Sequence, residues 1–378
     1  MQPATHTSYL EMIMRKVLSL LLLAVLGLAA APAAGAADPP VLKVGYVFTT
    51  HHTPLIVAAS KGEAFKDQGV YLREVAPKER YELMNGNEPV AILDLVVSKS
   101  GSETATLFAQ KHMDLALASV TAIMAGVDKG TPIKVLCPMQ TEGMALVVGK
   151  DSPLTGWEAF VAKAQAAKEP LKVGYHSPTS APKIVLEGAL RQAGLRVSED
   201  PNDAKAQVLL ADLKATPNML PALASHQVEA VVGPSPFPEV AVVRGVGKIL
   251  VDLRDLPPAG HWHDFPCCVT AASEDAIAQH PEAVGKFVEL ISKTNTWCTA
   301  HQAEGGEITA NWIGIPPEAG RASTLVFLPR FNQSWLRGTA EYMEILNRMG
   351  NFKGRLQGKS LAEVKEILID DRFLPPAQ

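Results

Sequence analysis

Ser119 and Thr121 stand where a short apolar run turns into a helical one, in the stretch 114–136, DLALASVTAIMAGVDKGTPIKVL. Hydroxyls beside free backbone N–H groups at a helix N-terminus, above the carboxyl end of a strand, favour a polar or anionic ligand. The plainer reading is that the two hydroxyls cap the helix. Imidazoles recur in similar settings, as His51 and His52 in TTHHTP and as His261 and His263 beside Asp264 in HWHDFP. Such groups can ligate zinc or a related ion, but they can equally hydrogen-bond an anion or stack on a ring. Two adjacent histidines rarely hold one ion together, so no metal and no cofactor is expected. Cys137, Cys267, Cys268 and Cys298 follow no zinc spacing, and the adjacent Cys267 and Cys268 do not easily bridge each other. Buried free thiols are the expected state, with a single disulfide as the alternative. There is no G-x-S-x-G elbow, no H-E-x-x-H and no phosphate loop, and no enzymatic activity is expected.

The elements that must position these residues alternate. In the central stretch, residues 115–118 read as a buried strand, Ala122 to Gly126 begin a helix, Lys129-Gly130 stop it, and Pro132 forbids its continuation before a second strand at 133–136. This strand, turn, helix, strand order is the unit of a parallel α/β sheet. Further strands are expected at 42–48, 70–75, 144–148, 172–176, 207–213, 230–233, 247–253 and 267–271. Two of them carry the same letters, KVGY, and each feeds a polar turn and a helix. The region 77–100 reads as less regular, with turn signals at 85–87 and Pro89 and an apolar run at 91–97 of undecided type. After residue 272 the chain reads as mostly helical, with Val284, Phe287, Val288 and Ile291 on one face and another helix over 335–349.

Lys and Arg number 35 against 39 Asp and Glu, a net charge of −4, so nothing marks nucleic acid or an anionic membrane surface as a partner. A basic head at Met14-Arg15-Lys16, a Leu/Ala-rich core at 17–31 and the small residues Ala34-Gly35-Ala36 form the pattern of a cleavable signal peptide. Residues 1–36 are therefore assigned to an N-terminal extension and signal peptide, cut after Ala36 or Ala37. No cysteine follows the apolar core, which excludes the bacterial lipoprotein pattern. Export to a periplasm is the expected fate.

Four segments together carry a family resemblance: VGYVFTTHHTPLIVAASKGEAF, the 114–136 stretch, LVVGKDSPL with KVGYHSPTSAPKIVLEGALRQAGL, and VEAVVGPSPFPEVAVV with the later FPCCVTAASEDAIAQHPEAVGKFV. In their order and spacing the chain resembles the substrate-binding proteins of ABC importers, in the nitrate/sulfonate/bicarbonate and NMT1/THI5-like branch. That resemblance implies a two-lobed periplasmic-binding-protein fold (type II) of α/β class, with a ligand cleft between lobes and a helical C-terminal part. Lobe one would comprise 41–141 plus 250–378, lobe two 150–240, with hinges near 142–149 and 241–253. It further implies a monomer that captures a small organic anion or heteroaromatic compound and partners an ABC permease in the inner membrane. Ligand contacts fall at the strand-end turns: Thr49, Thr50, His51, His52, Ser102, Ser119, Thr121, Gln140, Thr141, Ser177, Thr179, Ser180, Ser235, Phe237, Trp262 and His263. The insertion at 77–100 departs from the family's usual link, and PCCV is a poor match to the cysteine run of the family's pyrimidine-synthase members. A ligand sensor without an importer, a metal-binding protein and a synthase-like enzyme are the alternatives.

Overall fold

The computed structural model describes residues 38–376, so the expected signal peptide lies outside the described residues. The chain first lays down β1 (Val41–Tyr46), β2 (Val70–Ala76), β3 (Arg80–Asn85), β4 (Glu88–Val97), β5 (Leu115–Ser119) and β6 (Ile133–Glu142). It then crosses at Gly143 and builds β7 (Met144–Gly149), β8 (Leu171–Tyr175), β9 (Val197–Ser198), β10 (Val208–Asp212), β11 (Ala230–Pro234) and β12 (Gly247–Asp252). It returns through 253–265 to add β13 (Pro266–Ser273) and, later, β14 (Leu325–Phe327). Two sheets result. One is ordered β14-β6-β13-β5-β1-β4-β3-β2 and the other β12-β7-β11-β8-β10-β9.

Strand character follows the burial pattern. Leu115, Ala116, Leu117 and Ala118 are all buried because β5 lies between β1 and β13 with both faces covered, the usual state of a central strand in a helix-covered sheet. β1 pairs in parallel with β4 and β5, and β8 in parallel with β10 and β11, so the two KVGY strands occupy corresponding interior places. The strand–helix–strand unit at 114–136 forms, yet β13 is wedged between its two strands, antiparallel to both.

The region 77–100, expected to be irregular, is instead a β-hairpin. β3 pairs antiparallel with β2 and β4, and β4 runs on to pair with β1. The Asn85-Gly86-Asn87 signal makes the turn, with Gly86 at φ +63° where a side chain would be strained. Pro89 is accommodated at a register shift near the start of β4. The apolar run at 91–97 is thus strand. The helix that follows the first KVGY strand is α-helical over Thr53–Lys61 and tightens into a 3₁₀ turn over Gly62–Gln68.

The C-terminal part is helical and packs back on the first sheet. Val284, Phe287, Val288 and Ile291 form the buried face of the helix Pro281–Ala300, as their spacing requires. The last segment is tethered by one carboxylate. Asp128, 6 % exposed at the end of helix Val120–Asp128, accepts the backbone N–H groups of Lys353, Gly354 and Leu356 at 2.9–3.0 Å. Gly354 is needed there, since a Cβ would stand 2.1 Å from the Asp128 carbonyl oxygen. Asp128→Ala orphans those three donors and is expected to cost about 2–4 kcal/mol. Urea unfolding would show this as a lowered midpoint, and an unchanged midpoint would mean the tether carries no stability.

Candidate functional site

Between the two sheets lies a narrow cleft with about 40 Å³ of free space. Its walls come from both lobes: Thr49, His51, His52, Ser100, Ser119, Cys267 and Cys268 on the first, His176, Ser180, Thr216 and Pro234 on the second. Three helices begin at it, Gly101–Ala109 after Ser100, Val120–Asp128 after Ser119, and Ala181–Gln192 after Ser180. Their free N–H groups and aligned dipoles make the cleft electropositive without any charged side chain.

The plain capping reading of the hydroxyls at Ser119 and Thr121 does not hold. The Ser119 side chain makes no cap hydrogen bond. It lies 2.5 Å from Thr121 Oγ1, which donates across the cleft to the carbonyl of Thr179 at 2.6 Å. Ser102 Oγ likewise meets Ser177 Oγ and Thr179 Oγ1, each at 2.7 Å. Thr49 Oγ1 donates to the carbonyl of Ser235 at 2.6 Å. Small hydroxyl residues from opposite lobes therefore hold the walls together. The Ser180 hydroxyl turns back to the carbonyl of Ser177.

His51 is the most constrained side chain of the floor. Its Nε2 donates to the carbonyl of Gly143 at 2.8 Å, which leaves Nδ1 as the acceptor. That Nδ1 faces the Gln140 amide nitrogen at 2.6 Å, Cys267 Sγ at 3.2 Å and Cys268 Sγ at 3.9 Å. His52 Nδ1 accepts the Val47 N–H at 2.9 Å. The adjacent thiols would point to opposite faces of a regular strand. Register shifts between Pro266 and Val269 turn both toward the cleft, with the sulfurs 3.9 Å apart. Their ionisation is shared: the hydrogen bond to Cys268 and burial push Cys267 well above the ordinary thiol range. For Cys268 burial opposes charge, but the hydrogen bond from Cys267 and the neighbouring His52 outweigh it and hold that thiol low. All four cysteines are free and buried, as expected.

The other expected contacts divide. Gln140 and Thr141 belong to strand β6 rather than to a turn, and the Thr141 hydroxyl has no partner among the described residues. Ser235 donates to Glu239 at 2.6 Å, behind the wall at Pro234, and burial raises the Glu239 carboxyl. Thr50 turns to Ser323 in a separate recess. Phe237 packs against the second lobe's own core with Val147 and Met219. Trp262 is buried on Phe265, its indole N–H on the Pro257 carbonyl, beside a different groove. His263 is half-exposed near Asp255. The cleft residues that sequence reasoning passed over are Cys267, Cys268, His176, Ser100 and Thr216.

The NMT1-like family model matches residues 35–314. An uncharacterized protein of Methanocaldococcus jannaschii, MJ1180, is 36% identical over 113 residues, 29% of this chain and 78% of that protein. The ligand-binding component of an ABC-type import system from Staphylococcus aureus, solved with zinc bound, superposes with a TM-score of 0.68 at 16% identity, over 90% of this chain and 99% of that one. The alkanesulfonate-binding protein SsuA from Xanthomonas axonopodis pv. citri, bound to MOPS, gives 0.62 at 15% identity over 84% and 96%. These likenesses establish the two-lobed periplasmic-binding-protein fold. Among the described residues no helix is long and apolar enough to cross a membrane.

His176, on the second wall, supplies a pH test. Burial, reinforced by the proximity of His51, lowers its imidazole to about 4 from 6.5, and its Nδ1 has no partner among the described residues. The folded protein thus holds it neutral while the unfolded chain charges it below 6.5. Stability is undiminished above pH 6.5 and falls as pH drops from 6.5 toward 4, by about 2–4 kcal/mol in all. Urea titrations of wild type and His176→Gln at pH 7 and pH 4.5 are expected to show the smaller acid loss in the variant. Equal losses would place the pH sensitivity elsewhere.

Proposed function

The chain belongs to the NMT1-like family, and from that premise we propose that it is the substrate-binding component of an ABC importer. It would capture a small anionic or polar compound between its lobes and present the closed form to a membrane permease. The observation that carries this reading is the convergence of three helix N-termini and a ring of serine and threonine hydroxyls on one interlobe cleft. A ligand with a negatively charged head finds donors on both walls there, and only the closed form supplies both at once. The sulfonate buffer in the Xanthomonas structure is a precedent of that chemistry. The two crossings, at Gly143 and at 253–265, are proposed as the hinges. They are tied side by side through Arg254 and Glu142 at 2.9 Å, so they would flex as a pair. An exported protein with the signal peptide read at residues 14–36 is consistent with this role.

The test is a thermal-shift screen of the mature chain over sulfonates, nitrate, bicarbonate and pyrimidines, followed by calorimetry of any hit. Ser119→Trp places a bulky ring in the cleft and is expected to weaken binding at least about tenfold, or about 1.4 kcal/mol, with the melting temperature of the free protein little changed. Undiminished affinity in a folded Ser119→Trp protein would remove this cleft as the binding site.

A further inference from the structure

We infer that Cys267, Cys268 and His51 form a site for one thiophilic d¹⁰ cation, zinc(II) or copper(I), on the floor of the cleft. The inference rests on the cleft being the ligand site and adds to it the kind of ligand that the site takes. Two thiols and an imidazole are the soft donor set that selects such ions over magnesium or calcium.

Geometry makes the case. The Nδ1 of His51 and the two sulfurs all lie within 4.8 Å of one another. Ligands at about 2.3 Å for sulfur and about 2.0–2.1 Å for nitrogen around a tetrahedral ion stand roughly 3.5–3.8 Å apart. The measured separations are 3.9 Å between sulfurs and 3.2 and 3.9 Å from nitrogen to sulfur. An ion therefore fits with shifts of a few tenths of an ångström. The second contribution is the orientation of His51. A ligating histidine donates its other ring N–H to a carbonyl or carboxylate, which fixes the tautomer. His51 does this to Gly143, whose φ of +67° admits no side chain without meeting Leu325 and the ring itself. The third is the bulged strand, which brings two adjacent side chains to one face. The thiols of Cys137 and Cys298, buried away from the cleft, lack any such partner among the described residues and serve as small apolar side chains.

The Gln140 amide nitrogen, 2.6 Å from the same Nδ1, must swing off when an ion binds, and its Oε1 has no partner among the described residues to hold it. Binding as a dithiolate releases to solvent each proton the thiols still carry, and the helix N-termini around the cleft favour the resulting charge. The fourth position is left to the cleft, which Ser119, Ser180 and His176 also line. A water or the anionic head of the captured molecule completes the coordination there.

The experiment uses the full mature chain, reduced and stripped with a chelator. It is titrated with zinc(II) against a chromophoric chelator, with cobalt(II) as spectroscopic stand-in, and in parallel with copper(I). The expected result is one equivalent of zinc or copper, with a sulfur-to-cobalt charge-transfer band in the cobalt arm if zinc is the ion. Cys268→Ser should abolish that band and weaken binding at least about 100-fold, more than loss of an outer-shell partner costs, while Cys298→Ser leaves both unchanged. Cys267→Ser serves the same purpose should Cys268→Ser fail to fold by circular dichroism. A reduced, folded chain that takes up neither ion overturns the inference, as does one whose binding survives both serine substitutions. An organic anion that still binds such a metal-free chain leaves the importer reading standing. Stoichiometric metal uptake with no anion binding keeps the site and removes the anion-capture reading.

Discussion

The hydrogen bond from His51 Nε2 to the carbonyl of Gly143 ties the floor of the cleft to the point where the chain first crosses between lobes. Glu142 and Gly143 both sit in the left-handed region, φ +65° and +67°, so the end of β6 and the start of β7 meet at a sharp, conformationally demanding corner. Glu142, in turn, accepts from Arg254 and from the Asp264 backbone on the returning crossover. One buried imidazole is thus coupled to both crossings. Its tautomer, the direction of its free lone pair and the position of the two thiols all follow from that anchoring.

Around this anchor the cleft is built from weak, short-range parts. Among the described residues no lysine or arginine lines it. Its electropositive character comes from backbone N–H groups at three helix starts, and its closure from hydroxyl-to-hydroxyl and hydroxyl-to-carbonyl contacts between Ser102, Thr121, Thr49 and the opposite lobe. Such contacts are each worth about 1 kcal/mol net, few enough that a ligand bridging both walls can decide which state predominates.

Much of this was legible in the sequence, for physical reasons. Apolar runs of four to eight residues between turn signals mark buried strands, and the turns after β1, β5 and β8 had to lie together at the carboxyl ends of parallel strands. Hence Thr49, His51, His52, Ser119 and Ser180, which those turns carry, all line the cleft. The hairpin of 77–100 was not, because β4 is half-exposed along much of its length and carries a proline, which blurs its alternation. The thiol pair was missed for another reason. Its histidine lies 216 residues away in sequence, and no local spacing encodes a bulge that turns adjacent side chains to one face. Trp262 and His263 looked like cleft residues by type, yet the returning loop folds Trp262 onto Phe265 and leaves His263 near the surface.

The central claim is that two lobes close on a bound molecule. Small-angle X-ray scattering of the mature chain, with and without a compound that raises its melting temperature, tests it most directly. We predict a smaller radius of gyration in the presence of the ligand, as the open fraction of the ensemble is drawn into the closed form. An unchanged radius at saturating ligand would contradict interlobe capture and reduce the cleft to a rigid pocket.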